Sequence, residues 1–158
     1  MNDHVSSLYA LAHELLNLGM DGSPIYSDHF ARLNREVYEQ ALRLYSAPEG
    51  DTPEEEARLC LSILVALNAT FYDNGRKQQY IQHLLDRCWN VLDKLPASLL
   101  KVRLLTCCYG EVYDEKLASE AHSIIDTWDA SSLTPEQTEI IGELKNMEEN
   151  QYPFEIVD

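Results

Sequence analysis

Apolar residues recur at intervals of three and four along nearly the whole chain, and no stretch of strand length alternates. That period gathers apolar side chains on one face of an α-helix, so it restricts the fold to helices packed on helices. Seven stripes can be read. The first helix runs from about Val5 to Leu18, with Val5, Leu8, Ala12, Leu15 and Leu16 on one side, and Gly19 is placed to stop it in a left-handed turn. Asp21-Gly22-Ser23-Pro24 is a turn by composition. Ser27 or Asp28 can cap a second helix bearing Phe30, Leu33, Val37, Ala41 and Leu44, which ends in Pro48-Glu49-Gly50-Asp51.

Thr52-Pro53-Glu54-Glu55 is a helix start with cap, proline and a glutamate that can reach back three residues to the cap. The stripe of this third helix is Ala57, Cys60, Leu61, Leu64, Leu67 and Phe71, ended by Asn74-Gly75. A fourth carries Ile81, Leu84, Leu85, Cys88, Val91, Leu92 and Leu95 and stops before Pro96. The fifth spans roughly Ala97 to Tyr109, with Leu100, Leu104, Cys107 and Cys108, and Gly110 ends it. Asp114 caps the sixth, with Leu117, Ala121, Ile124, Ile125 and Trp128. Thr134-Pro135-Glu136-Gln137 opens the seventh, with Ile140, Ile141, Leu144 and Met147 inward. The reading is one all-α domain over 1–158, packed as antiparallel hairpins in an irregular bundle, with a short irregular tail at 151–158. The hairpin from Leu104 to Trp128 has tetratricopeptide-like character, with Ala118 and Ala121 at close-packing positions. The helix starts keep no 34-residue period, so a true repeat array is not expected.

Apolar residues at 45% and charged ones at 25% exclude wholesale disorder. The net charge of −15 argues against direct binding to nucleic acid, whose phosphates such a field repels. Met1-Asn2-Asp3-His4-Val5 shows no basic start to a secretory signal, and the apolar run Leu59 to Leu67 is too short to span a membrane. Cys60, Cys88, Cys107 and Cys108 sit inside helical stripes, where free thiols act as small hydrophobes. These features fit a cytoplasmic protein.

Signatures of catalysis are missing: no Gly-rich phosphate loop, no Gly-x-Ser-x-Gly, no His-Glu-x-x-His. Asp73-Asn74-Gly75-Arg76-Lys77 serves as a helix stop and restart without a ligand. Cys107, Cys108 and His122, with Cys88 near, lack the spacing of a zinc site, and core packing accounts for them. His122 and Asp126 lie four apart on one helix face, the place for a local ion pair. His13, His29 and His83 border apolar stripes as half-buried surface residues. The reading is therefore a protein that is not an enzyme and holds no metal or cofactor.

The charge distribution says more. From Glu111 to Asp158 there are 13 acids against Lys116 and Lys145, a balance of −11, while the preceding 110 residues carry only −4. A solvated face explains such a bias, and so does a docking surface for a basic protein. The docking candidates are Glu136, Glu139, Glu143, Glu148 and Glu149, with Tyr152 and Phe154 of the tail. The Gly19 to Asp28 loop, with Tyr26 and Asp28, is an alternative contact surface. A generic tetratricopeptide-like adaptor binding a basic protein or peptide is the competing functional reading.

Several blocks resemble a known family almost end to end. They are Leu18-Gly19-Met20-Asp21-Gly22-Ser23-Pro24-Ile25-Tyr26-Ser27-Asp28-His29-Phe30, Ala69-Thr70-Phe71-Tyr72-Asp73-Asn74-Gly75, Leu95-Pro96-Ala97-Ser98-Leu99-Leu100, Cys108-Tyr109-Gly110-Glu111-Val112-Tyr113-Asp114-Glu115 and Glu148-Glu149-Asn150-Gln151-Tyr152-Pro153-Phe154. Together they resemble the UpxZ family of transcription antitermination antagonists. The resemblance implies a small cytoplasmic bacterial regulator encoded in a capsular polysaccharide locus. It implies a protein partner, a NusG-like transcription antitermination factor of a competing locus, which it inhibits. No residue role is carried over from the family.

Overall fold

The computed structural model describes residues 2–20, 28–71 and 74–150. Among them the protein is all-α, with helices α1 (Asn2–Met20), α2 (Asp28–Tyr45), α3 (Pro53–Ala69), α4 (Lys77–Leu92), α5 (Leu99–Val112), α6 (Glu115–Ile125) and α7 (Pro135–Glu149). They fall into two compact units, Met1–Asp93 and Lys94–Asp158.

In the first unit α3 lies at the centre and packs against α1, α2 and α4. Thr52 caps it, Oγ1 accepting the Glu55 N–H at 3.1 Å, with Pro53 at its first position. Glu55 does not reach back to Thr52; its carboxylate accepts the Asp51 N–H at 3.1 Å. Glu56 takes the Gly50 N–H at 3.0 Å, so the preceding loop is tied to the first turn by two carboxylates. Beyond that turn Ala57, Leu59, Cys60, Ile63, Leu64, Ala66 and Leu67 are fully buried. At roughly 1.5–3 kcal/mol for each fully buried large aliphatic side chain, packing rather than helix propensity holds α3 in place.

Glu56 also meets Arg87 of α4, with Nε 2.7 Å from Oε2 and Nη2 2.7 Å from Oε1. Both side chains are nearly out of water, at 7% and 6% exposure. Burial works to raise the Glu56 carboxyl, but the hydrogen bonds from Arg87 and Gly50 overcome it and hold the group below its ordinary value. Ile81, Leu84, Leu85, Cys88, Val91 and Leu92 of α4 are buried as predicted, but the helix ends at Leu92, so Leu95, though buried, lies beyond it.

Several expected positions are corrected. α1 continues through Gly19 to Met20, because glycine permits a left-handed stop without compelling one. Leu16 is 40% exposed and lies outside the core stripe. α3 ends at Ala69, where Thr70 turns extended (φ −94°, ψ 153°) and breaks the helical spacing before Phe71. Phe71 is consequently 70% exposed. Its N–H donates to Asn34 Oδ1 at 3.0 Å, and its ring lies on buried Phe30 with centroids 5.7 Å apart. Gly75 does adopt a left-handed φ of 90°, but it leads into α4 rather than closing α3.

In the second unit α5 packs against α6 and α7. Ser98 caps α5, its Oγ accepting the Lys101 N–H at 3.2 Å. Gly110 does not end this helix, which runs to Val112 and closes on Tyr113 in the left-handed region (φ 52°). Gly110 is instead where α7 comes close: a Cβ there would lie 3.2 Å from Met147 Sδ. Asp114 caps α6 through the Lys116 N–H at 3.0 Å, and Ala118 and Ala121 are buried. Lys101 is buried with its charge answered by Glu120 at 2.8 Å. Thr134 and Gln137 form a complete reciprocal cap at the start of α7, at 3.1 and 2.9 Å.

None of the four cysteines is in a disulfide; Cys60, Cys88 and Cys108 are buried and Cys107 is half-buried. The Cys60 thiol is pushed well up by its hydrogen bond with Cys88 and by burial, so it stays protonated. Among the described residues no helix is long and apolar enough to cross a membrane.

Candidate functional site: the acidic edge of helix α7

Only Ile140 and Leu144 of α7 are buried; most of the helix faces solvent. At about 100° per residue, Ile140, Leu144 and Met147 share the inward side. On the same geometry Glu136, Glu139 and Glu143 fall along one edge, Glu149 on the outer side and Glu148 on the opposite edge. The five glutamates expected to act together are therefore divided by the helix that carries them.

Their contacts follow that division. Glu143 is held above its ordinary value by partial loss of hydration on the side toward α5 and by Glu139 on the preceding turn, with Arg103 of α5 pulling the other way. Glu148 Oε1 lies 2.8 Å from His122 Nε2 of α6. Glu149 is 4.0 Å from Lys145 Nζ. Glu136 and Glu139 are exposed. The edge Glu136–Glu139–Glu143 is thus the part of the predicted surface that presents neighbouring carboxylates outward.

His122 pairs with Glu148 and not with Asp126. Asp126 is the residue that closes α6, and its backbone N–H returns to the His122 carbonyl at 2.9 Å. Three other histidines have neighbours of their own: the His13 ring packs at a tilt on Tyr9 at 4.5 Å, His29 faces Glu14 at 3.6 Å, and His83 Nδ1 is 2.8 Å from Tyr45 Oη. Tyr45 also lies against Tyr80, with ring centroids 4.8 Å apart, so some tyrosines on stripe borders contact one another. Among the described residues no group of three His, Cys, Asp or Glu comes together to hold a metal ion. Asp28 is the exposed first residue of α2. Tyr26, Tyr152 and Phe154 lie outside the described residues.

Periodicity alone assigns nothing to Arg103 or Gly142. Arg103 emerges only once α5 and α7 are seen to pack, because nothing local joins it to Glu143. Gly142 does leave a signal, a glycine midway along a well-capped helix.

Helices alone among the described residues, with a carboxylate edge on the last of them, define the class: an all-α protein whose most distinctive surface is acidic. The model of the UpxZ family of transcription anti-terminator antagonists matches residues 5–110. Similarity to a solved structure extends further. The crystal structure of a transcription anti-terminator antagonist UpxZ from Bacteroides uniformis ATCC 8492 is 52% identical, with a TM-score of 0.89, covering 97% of this chain and 95% of that one. No curated protein matches significantly. The chain belongs to the UpxZ family of transcription anti-terminator antagonists, a family of regulators.

Proposed function

We propose that this protein inhibits NusG-like antitermination factors of competing capsular polysaccharide loci, and that it does so in the cytoplasm by masking rather than by catalysis. The acidic edge of α7 covers a basic surface that the factor would otherwise use to engage polymerase or nascent RNA. One locus is then transcribed to its end while its competitors terminate early. The observation that carries this reading is the Glu136–Glu139–Glu143 edge, exposed on a helix that commits few of its side chains to the core. Complementary charge accelerates and orients such an encounter.

The test is binding of a purified NusG-like factor at about 50 and about 500 mM salt, a range over which the screening length contracts several-fold. Affinity should fall steeply with salt and with substitution of Glu136, Glu139 and Glu143 by glutamine. Substituting Glu148 or Glu149, already engaged by His122 and Lys145, should matter less. Equal binding at both salt concentrations by the protein and its glutamine variants overturns the charge-led contact.

A further inference from the structure

Gly142 sits midway along α7, exposed, and a Cβ placed on it would meet nothing within 4 Å. An interior glycine weakens a helix relative to alanine by about fivefold in the local folding equilibrium. Three other glycines, Gly50, Gly75 and Gly110, have an internal reason. A Cβ on Gly50 would strike the backbone of Glu56, one on Gly110 would press on Met147, and Gly75 is left-handed. Gly142 has no such reason among the described residues.

Its surroundings point outward. The residues three and four away along the helix surface are Thr138, Glu139, Lys145 and Asn146, all exposed. Lys145 leans toward Glu149, at 4.0 Å. The result is a shallow notch in the outer face of α7, with Glu139 and Glu143 along one side. Packed helices ordinarily lie about 8–10 Å apart, and the short end of that range needs a residue without a side chain at the crossing. Glu139 and Glu143 are one turn apart, the spacing of cationic side chains at i and i+4 on a facing helix. A phosphate backbone would be repelled here, whereas a cationic helix is charge-matched.

We propose that α7 seats a basic helix of the protein partner, crossing over Gly142 with lysine or arginine side chains on Glu139 and Glu143. This rests on the function proposed above and adds the point of contact and the form of the ligand.

The test uses the full chain with a purified NusG-like antitermination factor as probe, and compares Gly142→Ala, Gly142→Leu and the double variant Glu139→Gln/Glu143→Gln. Gly142→Ala should melt about 2–5 °C higher yet bind at least about fivefold more weakly, because the added methyl helps the helix and obstructs the crossing. Gly142→Leu should bind roughly a hundredfold more weakly with unchanged helix content by circular dichroism. A purely structural glycine would not move stability and affinity in opposite directions. Photo-crosslinking from p-benzoylphenylalanine in place of Thr138 should tag factor residues three or four apart; tags on consecutive residues overturn a helical ligand. Wild-type affinity in both glycine variants overturns the crossing, and if the glutamine variant still loses affinity, the acidic contact stands alone. If all variants bind normally, or the factor does not bind the wild-type chain, both proposals fall.

Discussion

Arg87 and Glu56 are joined at two points, Nε and Nη2 each 2.7 Å from a carboxylate oxygen, across the packing of α4 on the first turn of α3. Because Glu56 also accepts the Gly50 N–H, one carboxylate fastens a neighbouring helix and the incoming loop together. A pair this far from water contributes only while both partners are present, since each ion alone carries an uncompensated desolvation cost.

Arg87→Met should therefore cost about 3–5 kcal/mol by urea denaturation. The double variant Arg87→Met/Glu56→Gln should recover part of that loss, because glutamine is neutral and still accepts from Gly50. A single-variant cost below about 1 kcal/mol would mean that the pair is structurally idle.

Gly50→Ala should destabilise by at least about 2 kcal/mol. The added Cβ would lie 2.4 Å from Glu56 N and 2.7 Å from the Glu55 carbonyl carbon, both backbone atoms that cannot swing aside. Thermal melting of the variant checks this directly.

Thr106 is 1% exposed, and its Oγ1 has no hydrogen-bond partner among the described residues. Thr106→Val keeps the β-branch and removes a hydroxyl whose desolvation is uncompensated, so it should stabilise by about 1 kcal/mol. Equal or lower stability in denaturant would show that the hydroxyl is satisfied in solution.

Two glutamates tilt the pH dependence in opposite directions. Glu56 is depressed below its ordinary 4.5, so the stability it contributes is present above that pH and is lost as the pH falls through its folded value. Glu143 is raised, so its contribution is present below 4.5 and is lost as the pH rises through its folded value. Glu56→Gln should accordingly flatten the acid limb of the stability profile. Glu143→Gln should be more stable than wild type at pH 7, within about 0.5 kcal/mol because the group is exposed, with the gain vanishing in acid. Urea titrations across pH 3–7 measure both slopes.

The features legible in the sequence are those decided within about four residues. The Thr134/Gln137 cap, the Thr52 and Asp114 caps and the buried stripe of α4 follow from local spacing and are found where expected. What escaped depends on which helix lies across the way. Gly110 reads as a stop until Met147 is seen against it. His122 has an acidic neighbour at Asp126, yet its partner, Glu148, is 26 residues distant in the chain. Phe71 is misplaced by a single residue, because Thr70 leaves the helix before it. For the candidate site the acidic bias was readable, but its division into an open edge and two engaged glutamates was not: that needed the rotation of α7 and the positions of His122 and Lys145.

From Ala57 to Ala69 of α3 only Arg58 and Asn68 are exposed. A helix enclosed to that degree has little room for substitution, because almost any change of side-chain volume meets a neighbouring helix. Substitutions that the fold tolerates are instead to be found on open faces such as that of α7, where most residues meet solvent.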